Sequence, residues 1–246
     1  MNWVKHNLFG QLTIEPLAII RHFIDPKDIC LDIGAHAGAW TVPLSKLCAH
    51  VYAFEALPYY NNILQMTIRL LHRKNITLLN KAVMHQNGFI NLVWQDQNGQ
   101  KLPGKTSHCR QEVTHFSTTV EGVMLDDFLL ESALNIARVR FIKIDIEGAE
   151  LLALQGATQL ITQSHPLIYL EICNDYCKNY GYSAKDIFKF LTNYDYQAVI
   201  LQENLTIQPT DMHRYAGQGN VLFVPPHQQN QLNALFPDTS KSYFHD

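Results

Sequence analysis

Four acids in this chain each stand at the end of an apolar run. Asp32 follows Ile29-Cys30-Leu31, Glu55 follows Val51-Tyr-Ala-Phe54, Asp145 follows Phe141-Ile-Lys-Ile144, and Glu171 follows Leu167-Ile-Tyr-Leu170. Short continuous apolar runs of this kind read as buried parallel strands, and ligands of open α/β sheets bind beyond the carboxyl ends of such strands. The pattern therefore predicts four carboxylates converging on one rim. Like charges this close disfavour each other's ionisation unless a cation, a proton or hydrogen-bond donors offset them. Lys143, two residues before Asp145, lies on the same face of its strand and can pair with it.

The first of these acids opens a loop, Asp32-Ile-Gly34-Ala-His-Ala-Gly38, that leads into a helix. Glycine lets the backbone turn tightly and approach a ligand closely. Glu55 closes the second strand about 20 residues on, where a carboxylate meets the two hydroxyls of a bound ribose. A dinucleotide fingerprint would need Gly-x-Gly-x-x-Gly, with backbone amides free to hold a pyrophosphate. That spacing is missing, and a carboxylate stands where a pyrophosphate would be repelled. S-adenosylmethionine (SAM), which carries a sulfonium, an ammonium and a ribose but no phosphate, suits the loop better.

Strands alternating with helices must position these groups. A short helix runs from Thr41 to Leu47, with Pro43 tolerated in its first turn. Pro58 opens an amphipathic helix to about Lys74, and Ile76 to Val83 is a third strand. Between Met84 and Leu125 the pattern changes to β-like runs such as Phe89–Trp94, punctuated by Asn87-Gly88 and Asn98-Gly99, which predicts an inserted hairpin. Parallel order resumes at Phe141–Asp145, followed by a helix from about Glu150 to Ser164 and the strand Leu167–Glu171. A helix at Ala184–Leu191 and strands at Gln197–Leu201 and Asn220–Val224 complete the series. The expected organisation is an N-terminal segment (1–28) packed on the core, one catalytic domain (29–226) with an insertion at 84–125, and a loosely held polar tail (227–246).

Composition bounds the function. The 246 residues are 47% hydrophobic, enough for one sizeable core, and the formal net charge of −3 gives no global basic field for nucleic acid. Arg69, Arg73 and Lys74 cluster on one helix, a pattern that usually marks solvated surface. Five cysteines, odd in number, form no evident disulfide framework or zinc ribbon. The N-terminus lacks an apolar signal core, and no run approaches a membrane span, so a cytoplasmic location is expected.

The run Phe141-Ile-Lys-Ile-Asp-Ile-Glu-Gly-Ala-Glu-Leu-Leu-Ala-Leu-Gln-Gly156 resembles the signature of FkbM-type SAM-dependent methyltransferases. The same holds for Leu31–Gly38, Tyr52–Glu55, Val123–Leu129 and Tyr169–Glu171. The resemblance extends from about Glu15 to Pro225, and five motifs in order make it specific. It implies a class I methyltransferase (Rossmann-like) fold, with a mostly parallel seven-stranded sheet whose last strand is antiparallel and the hairpin insertion between the third and fourth strands. It further implies O-methylation of a hydroxyl on a sugar or glycan, a polyketide or a related metabolite. Asp32, Gly34, Ala35 and Gly38 would hold the methionine half of the cofactor, Glu55 and Ala56 the ribose, and Ala82 the adenine. Asp145 would sit between the SAM amino group and the acceptor.

Methyl transfer to a hydroxyl needs alignment and a base or metal to draw off the proton. Asp145, Lys143 if neutral, and Glu147 head the candidates, with Glu150, His108 and His115 behind them. Glu150 is read as an exposed first-turn acid that favours the helix dipole, and His36 as a loop side chain without a catalytic part. Asp145, Glu171 and Asn174 are a candidate Mg²⁺ set of the oxygen type. The competing reading has Glu171 paired with Lys143 or hydrogen-bonded in the core. Zinc at His108, Cys109 and His115 lacks a fourth ligand. Two rival functions are a catalytically idle SAM-binding scaffold and a nucleic-acid methyltransferase. The polar rim argues against the first and the charge balance against the second. A small-molecule or glycan acceptor is the expected partner.

Overall fold

The computed structural model describes residues 14–93, 117–202 and 206–237. Its main sheet is built on β1 (Ile29–Ile33), β2 (His50–Phe54), β3 (Ile76–Leu79), β7 (Val139–Ile144) and β8 (Leu167–Cys173), all mutually parallel. β11 (Gln218–Val224) runs antiparallel to β8 and receives β9 (Gln197–Leu201) on its other side. The sheet has eight strands, in the order β10-β9-β11-β8-β7-β1-β2-β3. This is a Rossmann-like mixed sheet of the kind the resemblance implies, one strand larger than the expected seven. The extra strand, β10 (Ile207–Thr210), folds back on β9 at the sheet edge. Its Pro209 obscures it in the sequence, because proline removes a ladder donor and is tolerated only at an edge.

The sheet separates two apolar layers. Ile29, Leu31 and Ile33 of β1 face one cluster with Ile142, Ile144, Leu154 and Ile161, while Cys30 faces the other with Phe141, Leu167 and Val224. Helix α1 (Ile14–Ile20) buries Ile19 and Ile20 in the second layer, and α2 (Thr41–Leu44) adds Leu44 there. Helix α3 (Pro58–Leu70) packs Leu64 against Ala35 and Ala53. The expected loose tail begins as helix α9 (Pro226–Leu235), which buries Leu232 in the second layer. The polar composition of that segment hides this single anchoring leucine.

Two expected elements are each split. The third strand breaks after Leu79 because Asn80 turns its side-chain amide onto the carbonyls of Glu55 (2.7 Å) and Ala56 (2.9 Å). The remainder becomes β4 (Lys81–Val83), which joins β5 (Gly88–Val93) and β6 (Ser117–Val123) in a separate three-stranded sheet of order β4-β6-β5. β5 and β6 are antiparallel, as a hairpin requires. The residues between them, with Trp94, Asn98-Gly99, His108, Cys109, His115 and Phe116, lie outside the described residues.

The helix expected at Glu150–Ser164 is two helices, α5 (Glu150–Gln155) and α6 (Thr158–Ser164), separated at Gly156. A Cβ on Gly156 would stand 2.1 Å from the Met84 carbonyl oxygen, so the backbone of the inserted sheet leans on the break itself. Asp126, near the start of α4 (Leu125–Glu131), then caps α6 from a distance in sequence. Its carboxylate accepts from the amides of Gln159 (2.9 Å) and Leu160 (3.0 Å) and from the Thr158 hydroxyl (3.3 Å). Asp126→Ala strips these donors, of which the Leu160 amide is buried, of their partner and should cost about 2 kcal/mol of stability, read as a lower urea midpoint with unchanged slope. Asp126→Asn should recover part of the loss.

Candidate functional site

The site is organised by Lys143. It lies opposite Asp32 in the β1–β7 register, and its ammonium donates to the Gly34 carbonyl at 2.8 Å. The same ammonium sits 3.6 Å from Asp32 and 3.2 Å from Asp145. Burial opposes its charge, but Asp145 and Asp32 outweigh that effect and raise its pKa. Lys143 is thus a fixed cation. It is not the neutral base the sequence left open.

Asp32 is fully buried and also accepts from the Thr41 hydroxyl at 2.5 Å, which ties the first residue of α2 to the strand. Burial raises its pKa, while Lys143 and the Thr41 hydroxyl pull it down. With no exposed surface, Asp32 shapes the loop through Thr41 and Lys143. One of its oxygens, Oδ1, has no hydrogen-bond partner and is met only by the ammonium.

The loop itself is closed on its own strands. The amides of Gly34 (2.9 Å) and Ala35 (3.0 Å) donate to the Phe54 carbonyl, and the His36 amide donates to Glu55 at 2.7 Å. Gly34 takes φ +78°, and a Cβ there would lie 1.9 Å from the Asp145 carbonyl oxygen, so only glycine fits. Glu55, also buried, accepts a second amide from Leu57 at 2.8 Å. Burial pushes its pKa up, and the two amides work against that shift. Each carboxylate oxygen keeps lone-pair capacity for a further donor. Ala56 is held by Asn80 beside it, and Gly38 packs against Leu64 of α3. Ala82 lies on β4 of the second sheet, paired with Gly122, and not at the end of a main-sheet strand.

Asp145 and Glu171 stand on the open rim. The pairing of Ile144 with Leu170 makes the two acids next neighbours, Asp145 just past β7 and Glu171 two residues before the end of β8. The Asp145 side chain is 35% exposed, and Glu171 is exposed. Burial works against the Asp145 anion, but Lys143 and a hydrogen bond from Glu171 hold its pKa low. That bond to Asp145, with burial second, raises Glu171 to about 8. Glu171 therefore neither enters the core nor pairs with Lys143. Asn174, the third member of the expected metal set, directs Oδ1 to the Ala184 amide at 3.0 Å, at the start of helix α8 (Ala184–Thr192). Among the described residues no group of three or more His, Cys, Asp or Glu is placed to hold a metal ion. Asp145 and Glu171 share the rim, while the Asn174 oxygen is already engaged by the Ala184 amide.

The turn after Asp145 depends on an acid that the sequence reading misplaced. Glu150 is 1% exposed, and its carboxylate accepts from the amides of Ile146 (3.2 Å) and Gly148 (3.0 Å). Tyr182 closes the turn by donating to the Gly148 carbonyl and accepting from the Leu151 amide at 3.2 Å. The turn leaves Glu147 half-buried at φ +56°, where burial and then Asp145 raise its pKa. Sequence reasoning also missed Asn80 and the ring of Tyr60, which stacks on His36 with centroids 3.6 Å apart. A lone asparagine after an apolar strand was the only signal for Asn80.

A family model described as the methyltransferase FkbM domain matches residues 32–198. The chain belongs to the FkbM family of SAM-dependent methyltransferases. Among solved structures, this FkbM chain resembles a methyltransferase FkbM from Methylobacillus flagellatus KT at TM-score 0.52 and 19% identity. The match covers 81% of this chain but 44% of that protein, so the chain spans less than half of that relative's length. A methyltransferase-fold protein from Streptococcus mutans, crystallised with SAH, matches at TM-score 0.50 and 13% identity over 85% of this chain and 93% of its own. At these identities the likenesses speak for the fold. No curated protein sequence matches the FkbM chain significantly. No helix among its described residues is long and apolar enough to cross a membrane.

Burial raises Glu150 from 4.5 to about 7, and this fixes a pH dependence for the FkbM domain. A carboxyl whose folded pKa is raised favours the fold fully below its unfolded pKa, and loses that contribution as pH rises through the folded value. The loss through Glu150 should be on the order of 3 kcal/mol between mildly acidic and mildly alkaline pH. Glu150→Gln keeps an amide oxygen for Ile146 and Gly148 but cannot ionise. Denaturant titrations should find the variant more stable than wild type near pH 8, with the gap closing near pH 5.

Proposed function

We propose that this domain binds SAM at the carboxyl ends of β1 and β2 and transfers its methyl group to a hydroxyl of a sugar, glycan, polyketide or related metabolite. The observation that carries the reading is the use of the loop amides. Gly34, Ala35 and His36 all donate to protein oxygens, so the cradle has acceptors and anions to offer and not the free N–H groups a pyrophosphate needs. Glu55 has two oxygens with capacity to accept ribose hydroxyls, while Asp145 lies on the same rim for an ammonium. Bound SAM supplies an electrophilic methyl carbon on a sulfonium.

The protein's own part is positioning and proton removal. Lys143 fixes Asp145 at 3.2 Å and anchors the Gly34 carbonyl, so the cofactor loop and the acceptor end of β7 are held by one cation. Asp145, ionised and partly exposed, is the base that takes the acceptor proton as the new O–C bond forms and the C–S bond breaks. Glu147 lies two residues on, at the rim where the acceptor enters. The insertion at 84–125 is assigned to acceptor selection, since segments inserted into a rigid α/β frame usually carry specificity.

Calorimetry with SAM and with NAD tests the cofactor: SAM should bind and NAD should not. Glu55→Ala should weaken SAM by roughly 30-fold or more, the loss of ~2 kcal/mol expected for charge-assisted hydrogen bonds. Asp145→Asn should also weaken SAM by removing the charge that faces its ammonium, so methyl transfer is compared at saturating SAM. Labelled SAM mixed with a metabolite and glycan extract should give a methylated product with wild type and almost none with Asp145→Asn. SAM binding without any product would favour the idle scaffold.

A further inference from the structure

Helix α3 carries two apolar faces. Leu64 and Ile68 pack inward with Ala35 and Ala53. Tyr59, Met66 and Leu70 are 70%, 68% and 79% exposed. Their i, i+7, i+11 spacing spans about two and then three helical turns, which places all three on one line along the outer surface. An apolar stripe that one helix presents wholly to solvent is not explained by the core.

The charge along this stretch of the chain is one-sided. From Ala56 to Gln95 the sequence contains no aspartate or glutamate, although the whole chain has a net charge of −3. The same stretch holds Arg69, Arg73 and Lys74, with His72 between them, at the end of α3 and just beyond it. Arg69 and Lys74 are exposed. A helix with an outward apolar stripe flanked by cations and free of acids has the make-up of a helix that lies in the interface of an anionic bilayer. The apolar side chains enter the boundary between headgroups and acyl chains, and the cations meet the lipid phosphates and carboxylates.

We propose that the outer face of α3, with Tyr59, Met66 and Leu70 as the inserting side chains and Arg69, Arg73 and Lys74 as the electrostatic ones, docks this domain on an anionic lipid surface. Single-stranded nucleic acid fits the face less well, because binding there relies on aromatic platforms and this stripe is mostly aliphatic. A peripheral attachment through one helix requires no spanning segment. The proposal does not depend on the identity of the methyl acceptor. It does place the rim near the lipid, since α3 begins three residues after Glu55 and its Tyr60 stacks on His36 of the cofactor loop.

Co-sedimentation of the full chain with vesicles tests this. Phosphatidylcholine vesicles containing phosphatidylserine should pellet the protein with a partition coefficient roughly tenfold or more above that for phosphatidylcholine alone, and high salt should remove the difference. Arg69→Glu with Lys74→Glu should abolish the preference. Met66→Ser with Leu70→Ser should weaken binding to the anionic vesicles while keeping the salt dependence. All four positions are exposed, so melting temperature and SAM affinity should stay at wild-type values, which separates failure of the docking face from failure of the cofactor reading. Equal partition onto the two vesicle types, or none onto either, would overturn the proposal. So would tight binding of an RNA oligonucleotide that the charge reversals abolish, or a dimer in sedimentation velocity that Met66→Ser with Leu70→Ser dissociates.

Discussion

One buried ammonium holds the cofactor end of this fold together. Lys143 is the counterion for Asp32 and Asp145 and also the donor for the Gly34 carbonyl, so β1, the loop after it and the end of β7 share a single charge centre. A buried lysine is costly, and it persists only when oxygens surround it. Here the surrounding oxygens belong to the cradle. Removal of the lysine would leave Asp32 charged without a counterion in the core and would free the loop from β7, so stability and ligand geometry are set by one residue.

Around that centre, acids have taken on distinct tasks through their environments. Asp32 is sealed and architectural. Glu55 is buried but keeps lone pairs for a ligand, Glu150 is sealed and shapes the Asp145 turn, and Asp145 and Glu171 share the open rim with one hydrogen bond between them. Burial and backbone amides, more than residue type, separate these roles.

Much of the fold was legible because parallel strands announce themselves as apolar runs with an acid at the carboxyl end. β1, β2, β7 and β8 stand where those runs predict, and Lys143 meets Asp145 because a strand has period two. The departures share a cause: tertiary contacts that leave no local pattern. Asn80 ends β3 by bonding to carbonyls at Glu55 and Ala56, and Met84 occupies the space that a side chain at position 156 would need. Glu150 looked like a surface acid because its burial is imposed by Tyr182 and by two amides of the preceding turn. The bond from the Ala184 amide to Asn174 is likewise hidden, because the two lie ten residues apart with no local pattern to link them.

The contact between Met84 and Gly156 also divides the molecule into a frame and an exchangeable fitting. β4, β5 and β6 form a small sheet with its own ladder, held to the frame where the Met84 backbone meets Gly156, where Val83 and Val123 enter the first layer and where Asn87 donates to Asp127 at 2.6 Å. These contacts gather at the Gly88–Gly122 end of the β5–β6 ladder, opposite the Val93–Ser117 end. The stretch leaving Val93 and returning at Ser117 can therefore differ in length and composition while β5 and β6 keep their register, much as a tool bit is changed in a fixed chuck. Transplanting that stretch between chains with the same stem would change no residue of the loop after β1 and none of the carboxylates around Lys143.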